Sequence, residues 1–187
     1  MGDIFLTLSR TADKIRRLMP TDLSQSLNPL RLAKAGERLE GDIQLDSMER
    51  ITDMLLEHKG LLHYCLAFGV DDSGIHFIES EIRAQLLMKC QRCLESVTID
   101  IDKQTMLGIV KNKEEAESLA TKYEPFFLDD GEFNLKEFVE DELLLAIPFS
   151  PLHSEEQCSG TMELDRINAE SKINPFAALA SLKKDKN

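Results

Sequence analysis

The chain has 187 residues, a net charge of −12, a hydrophobic fraction of 42% and no tryptophan, which predicts one domain of about 100 to 150 residues with an aliphatic core. No apolar stretch approaches the roughly 20 residues that cross a bilayer, and no secretory signal pattern opens the chain, so we expect a cytoplasmic protein without a membrane partner. Residues 41–160 hold 25 acidic and 10 basic side chains, a balance that disfavours tight binding of naked nucleic acid and favours basic partners.

The chain divides into three parts. In residues 1–20, apolar side chains alternate with four basic ones before Pro20, a pattern typical of a short amphipathic segment or of a loosely docked terminus. Residues 21–160 carry the pattern of a single α+β domain. Apolar periodicity fades after Cys158, so residues 161–187 are predicted to be a disordered, flexible tail that contains the sequence NPFAALASLK.

The first half of the domain mixes helix and strand signals. Asn28 and Pro29 predict the start of a short helix that Gly36 ends. A strand is expected at residues 39–45, followed by a helix over residues 46–58. That helix would face the core with four apolar residues spaced three or four apart, namely Met48, Ile51, Met54 and Leu55.

Period-two alternation marks the middle of the chain. Residues 62–70 and 77–90 predict an antiparallel hairpin, and residues 97–101 predict a further strand. Residues 111–121 are highly charged and predict either a short exposed helix or a loop. The expected fold class is therefore α+β, with a mainly antiparallel sheet from about residues 37 to 110 packed against a few helices.

A capping box identifies the last predicted helix of the domain. Asn134 and Glu137 have the spacing of a cap, and apolar residues then recur on one face until Pro148. Glu140, Asp141 and Glu142 lie in the same helix; adjacent helical positions point in different directions, so we interpret them as a solvated acidic face.

The pair Cys90 and Cys93 lies at the predicted turn between two strands, and two intervening residues let both sulfurs reach one tetrahedral metal. His153 and Cys158 would complete a Cys3His zinc site. Two other interpretations stay open, a dithiol oxidoreductase and two reduced cysteines without a ligand. Motifs for nucleotide binding or hydrolysis are absent from the sequence, so no catalytic residue and no enzyme activity are predicted.

Four segments in order resemble the YceD family of large ribosomal RNA subunit accumulation proteins: MKCQRC at 88–93, VEDELLLAIP at 139–148, PLHSEEQC at 151–158 and NPFAALASLK at 174–183. The resemblance extends from about Asn28 to Lys184. It implies a non-enzymatic role in the synthesis, processing or stability of 23S ribosomal RNA during ribosome biogenesis.

The resemblance also bears on site and partners. All four candidate zinc ligands fall inside matching segments, which favours the zinc interpretation. The implied partners are the large-subunit precursor, a basic ribosomal protein or ribosomal RNA. A CxxC dithiol oxidoreductase or a zinc-dependent interaction module is the alternative function. The sequence does not predict the oligomeric state.

Overall fold

The computed structural model describes the backbone of residues 17–18, 26–128 and 133–170 and the side chains of residues 26–128 and 133–168. The strands are β1 Arg17–Leu18, β2 Ser26–Leu27, β3 Arg38–Gln44, β4 Leu61–Val70, β5 His76–Lys89, β6 Ser96–Val110, β7 Glu124–Phe127 and β8 Phe133–Asn134. The helices are α1 Pro29–Ala35, α2 Glu49–Thr52, α3 Lys113–Glu117, α4 Leu135–Ala146 and α5 Ser159–Glu170.

Six of these strands form one sheet in the order β1-β3-β4-β5-β6-β7. The three central pairings, from β3 to β6, are antiparallel, whereas the two edge pairings, β1 with β3 and β6 with β7, are parallel. The alternation at 62–70, 77–90 and 97–101 therefore corresponds to three consecutive antiparallel strands. The predicted α+β fold class with a mainly antiparallel sheet is confirmed.

One face of the sheet is buried beneath helices. Apolar residues of β3 to β6 share a single core cluster with residues of α1, α2 and α4, and rings from β4, β7, β8 and α4 meet edge-on or tilted within it. Asn134 caps α4 by accepting a hydrogen bond from the Glu137 amide. The predicted capped helix is therefore present, and its apolar face is buried as expected.

The opposite face of the central strands is polar. The strand register places six carboxylates on it: Glu40, Asp42, Glu79, Glu81, Asp100 and Asp102. We call this set the acidic sheet face. Arg38 and Arg83 lie among the carboxylates and form ion pairs with Glu40, Glu81 and Asp102. Acidic residues outnumber these arginines three to one, so the face keeps a negative charge.

The prediction of a helix over residues 46–58 is wrong in length. A 3-10 turn at Leu45–Ser47 is followed by one helical turn, α2, and the chain then continues as a loop in which the Leu56 amide donates to the carbonyl of Leu87 at 2.8 Å. Because that amide bonds to strand β5, the segment cannot continue as a helix. Met54 is consequently 44% exposed rather than buried.

The interpretation of α4 as having a solvated acidic face is wrong for two of its three residues. Glu140 and Glu142 are each 5% exposed. One Glu140 carboxylate oxygen accepts the Arg50 amide of α2 at 2.8 Å, and Glu142 lies 3.4 Å from the Lys103 ammonium of β6. Asp141 is exposed and pairs with the Arg50 guanidinium. The helix contacts α2 on one flank and strand β6 on another, so the carboxylates of Glu140 and Glu142 are covered.

Helix α5 crosses the boundary that the sequence places at residue 160. The prediction starts a tail at residue 161, whereas the helix continues to Glu170. Within the described residues, no helix is long and apolar enough to cross a bilayer. The NPFAALASLK sequence and most of the N-terminal segment lie outside the described residues.

Candidate metal centre

The Cys90–Cys93 segment forms the tight turn between β5 and β6. The Cys90 amide donates to the Glu95 carbonyl at 2.8 Å, and the Leu94 amide donates to the Cys90 carbonyl at 3.0 Å. Leu94 has a φ of 65°, in the left-handed region that non-glycine residues seldom occupy. The prediction that the CQRC sequence lies at a turn between two strands is thus confirmed.

The chain that leaves α4 returns to this turn. The Gln91 amide donates to the Pro151 carbonyl at 2.9 Å, which brings the segment after the helix beside the CQRC turn. Cys158 directly precedes α5, and the Arg92 side chain donates to the Thr161 hydroxyl in the first turn of that helix. Three separate parts of the chain therefore meet at one place.

All four candidate ligands come together there. The sulfurs of Cys90, Cys93 and Cys158 and a ring nitrogen of His153 lie within 4.8 Å of one another. The Cys93 sulfur is 3.3 Å from His153 Nδ1. Zinc bonded tetrahedrally at its usual distances would set these atoms roughly 3.5 to 3.8 Å apart. To hold one ion, the widest separations would shorten by up to about 1 Å and the Cys93–His153 separation would lengthen slightly.

A backbone carbonyl orients the histidine. His153 Nε2 lies 2.9 Å from the Ser96 carbonyl oxygen, which can only accept a hydrogen bond, so Nε2 carries the proton. When the ring is neutral, its Nδ1 lone pair is directed at the cysteines. Such an outer hydrogen bond is the usual companion of a metal-binding histidine.

Backbone amides favour thiolates at two of the cysteines. Burial opposes ionisation of Cys90, but hydrogen bonds from the amides of Cys93, His153 and Arg92 outweigh it and lower the pKa of Cys90 to about 5. Burial likewise opposes ionisation of Cys158, and the Thr161 amide and hydroxyl with the Gly160 amide lower its pKa. Thiolates are the form of cysteine that binds metal.

The pKa values of the other two residues of the cluster, Cys93 and His153, are raised. Burial raises the pKa of Cys93, and its neighbours Cys90 and Cys158 raise it further. The pKa of His153 is raised mainly by its hydrogen bond with Cys90 and by the Ser96 carbonyl. The free cluster therefore favours a mixture of thiolate and protonated groups, and a bound cation would displace the protons.

Four protein ligands of this type match a closed, structural zinc site rather than an open catalytic one. A dithiol oxidoreductase needs an accessible low-pKa cysteine, commonly at a helix N-terminus. Cys90 lies at the end of a strand and is fully buried. The residue types and spacing predicted the four candidate ligands that the structure brings together. The Ser96 carbonyl and the amides that favour thiolates have no side-chain signature in the sequence.

The fold and the cluster define an α+β domain with a Cys3His donor set. The family model described as Large ribosomal RNA subunit accumulation protein YceD matches residues 78–183. A curated relative from Haemophilus influenzae with the same name is 30% identical over 167 residues, which cover 86% of this chain and 96% of the relative. The chain therefore belongs to the YceD family, as its four segments indicate. No solved structure matches it significantly.

Proposed function

We propose that the protein is a non-catalytic accessory factor for the accumulation of 23S ribosomal RNA, and that it acts in the cytoplasm by binding the large-subunit precursor or a basic ribosomal protein. The observation that carries the proposal is membership of the YceD family, whose name describes accumulation of the large ribosomal RNA. The relative aligns over almost its whole length, which supports carrying the role over to the chain as a whole.

The charge distribution supports a protein partner over naked RNA. The acidic sheet face carries four exposed carboxylates, Asp42, Glu79, Asp100 and Asp102. This negative potential repels phosphate groups and attracts lysine-rich and arginine-rich surfaces. Ribosomal RNA is then affected indirectly, through a basic protein or an assembling particle that the protein binds.

We also propose that Cys90, Cys93, His153 and Cys158 bind one structural zinc ion. The ion would fasten the β5–β6 turn to the segment that follows α4 and to the first turn of α5. In this proposal, residues 21–160 and the start of α5 form one unit. The alternative role of the cysteines, a dithiol oxidoreductase, is less well supported because three sulfurs and an oriented histidine converge.

The proposed function is tested by removing the protein from cells and measuring mature 23S ribosomal RNA, which we expect to decrease. Purified protein should co-sediment with large-subunit precursors at physiological salt. Normal levels of that RNA after removal would overturn the role. Tight binding of bare ribosomal RNA fragments, without binding of ribosomal proteins or precursors, would overturn the mode of action.

Charge reversal gives a sharper test of the acidic sheet face. The double substitution Glu79→Lys and Asp100→Lys should weaken co-sedimentation at least about tenfold, since both residues lie on that face. Glu114→Lys with Glu117→Lys makes the same change in net charge on α3 and is the matched control. An equal loss in both variants would show that only net charge matters.

A further inference from the structure

The segment that links α4 to the cluster of Cys90, Cys93, His153 and Cys158 exposes an unusual amount of apolar surface. Phe149 is fully exposed at 105% relative accessibility, and Leu145, four residues earlier on α4, is 74% exposed. A groove of about 340 Å³ lies beside Phe149, and its apolar lining consists of Met54, Leu55, Leu56, Met88, Pro148, Phe149 and Pro151. We call this the Phe149 groove. Exposed apolar patches with polar rims commonly mark binding sites.

The loop that presents Phe149 is held at both ends. Pro148 and Pro151 flank it and restrict its backbone. The carbonyl of Pro151 accepts the Gln91 amide at 2.9 Å, and His153 lies in the cysteine cluster. A side chain on such a restrained loop loses little conformational freedom when it binds, so it is suited to act as an anchor.

Three segments line the groove, at residues 53–56, 88–91 and 148–151, and acidic residues outnumber basic ones in and around them. Residues 46–58 contain four carboxylates and one arginine, residues 141–157 contain four carboxylates and neither lysine nor arginine, and residues 88–92 contain Lys89 and Arg92. Two of these carboxylates are already engaged, because Asp141 pairs with Arg50 and Glu142 is buried beside Lys103. Asp53 lines the groove itself, and the single cation in its lining is Lys89. An apolar centre within an acidic surround is complementary to a basic segment that carries an apolar side chain.

The same charges disfavour a second copy of the chain or an RNA strand as the occupant of the groove. A second copy of the chain would bring two acidic rims together, and like charges across an interface weaken it. An RNA strand would bring phosphates against these carboxylates. A basic protein segment satisfies both the apolar centre and the rim.

We propose that the Phe149 groove binds a basic, apolar-anchored segment of a large-subunit ribosomal protein, with Phe149 as the central contact. This inference rests on the proposed function and specifies where the partner binds. The cluster of three cysteines and His153 then has a role in recognition, because it fixes the loop that carries Phe149. The acidic sheet face supplies attraction over longer distance.

The test uses the full chain with the photo-crosslinking amino acid p-benzoylphenylalanine in place of Phe149 and, as control, in place of Val70. Val70 is 43% exposed and lies at the far end of β4. Irradiation in cells should join position 149, and not position 70, to a basic large-subunit protein identified by mass spectrometry. Crosslinks to ribosomal RNA or to a second copy of the chain, or none at position 149, would overturn the proposal.

A binding measurement with substituted protein complements the crosslink. Phe149→Ser should reduce co-sedimentation with purified large-subunit precursors at least about tenfold, as for an aromatic hot spot, whereas Val70→Ser should change it less than about twofold. Unchanged binding by Phe149→Ser, with the wild type still co-sedimenting, overturns the groove but leaves the proposed function intact. If the wild type itself does not co-sediment, the proposed function fails. If Phe149→Ser has a lower melting temperature than wild type, the crosslink result decides.

Discussion

The proposed zinc site predicts that Cys90→Ala removes the ion and lowers the stability of the protein, whereas Cys65→Ala keeps the ion and lowers stability less. Both substitutions delete one sulfur from a buried position, since Cys90 is 0% and Cys65 is 7% exposed. Cys65 lies in β4, outside the four-residue cluster. The lost packing is similar in the two variants, but Cys90→Ala also loses the hydrogen bonds from the amides of Cys93, His153 and Arg92. The part of the difference that a chelator removes therefore reports the metal.

The size of that difference follows from mass action. An ion that binds only the folded state stabilises it by about 2.7 kcal/mol when free zinc is 100-fold above its dissociation constant. For a domain of this size, that free energy corresponds to roughly 8 °C in melting temperature. Cys90→Ala should therefore melt roughly 8 °C below Cys65→Ala at this zinc concentration. A chelator should remove this contribution of the metal.

The assay combines metal analysis with thermal unfolding of untagged protein purified without chelator. We expect one zinc per chain in the wild type and in Cys65→Ala and much less than one in Cys90→Ala. The zinc proposal is wrong if the wild type is folded and metal-free, or if the two variants melt together with and without chelator. Thiol-disulfide exchange by the wild type that Cys90→Ala abolishes would instead support the oxidoreductase alternative.

Other substitutions test features that the structure revealed. Glu140→Ala should cost about 1 to 3 kcal/mol in urea unfolding because the Arg50 amide loses its acceptor, while Glu140→Gln keeps an oxygen there and should cost less; equal losses would contradict this. The amides of Ile75 and Ser73 and the Tyr123 hydroxyl all donate to Asp71 and hold its pKa below the usual value, although burial opposes this. Since the folded pKa is the lower one, Asp71 stabilises the protein above its unfolded pKa of about 3.9 and loses that contribution as pH falls through the folded value. The Asp71→Asn variant should therefore lose stability less steeply than wild type in urea titrations between pH 5 and 2. An unchanged slope would refute the assignment. Leu94→Gly should leave stability unchanged or raise it by up to about 1 kcal/mol, because glycine tolerates a positive φ; a clear loss in thermal unfolding would show that the leucine side chain packs.

Much of the fold could be predicted from local sequence patterns. Alternation with period two predicted β4, β5 and β6, because a strand with one buried face repeats every second residue. Asn134 predicted the start of α4, because a cap acts on amides only two or three residues away. The same approach failed for residues 46–58, because their apolar spacing fits a helix but the Leu56 amide bonds to a residue of β5.

The sequence by itself determined the family, the acidic character, the main strands and the identity of four candidate ligands. Only the tertiary structure decided that these ligands meet, that Glu140 and Glu142 are buried and that Phe149 is exposed beside a groove. The physical reason is distance along the chain. Periodicity and capping act over a few residues, whereas Cys93 and His153 are 60 residues apart and meet only when α4 packs on the sheet and its following loop returns to the β5–β6 turn.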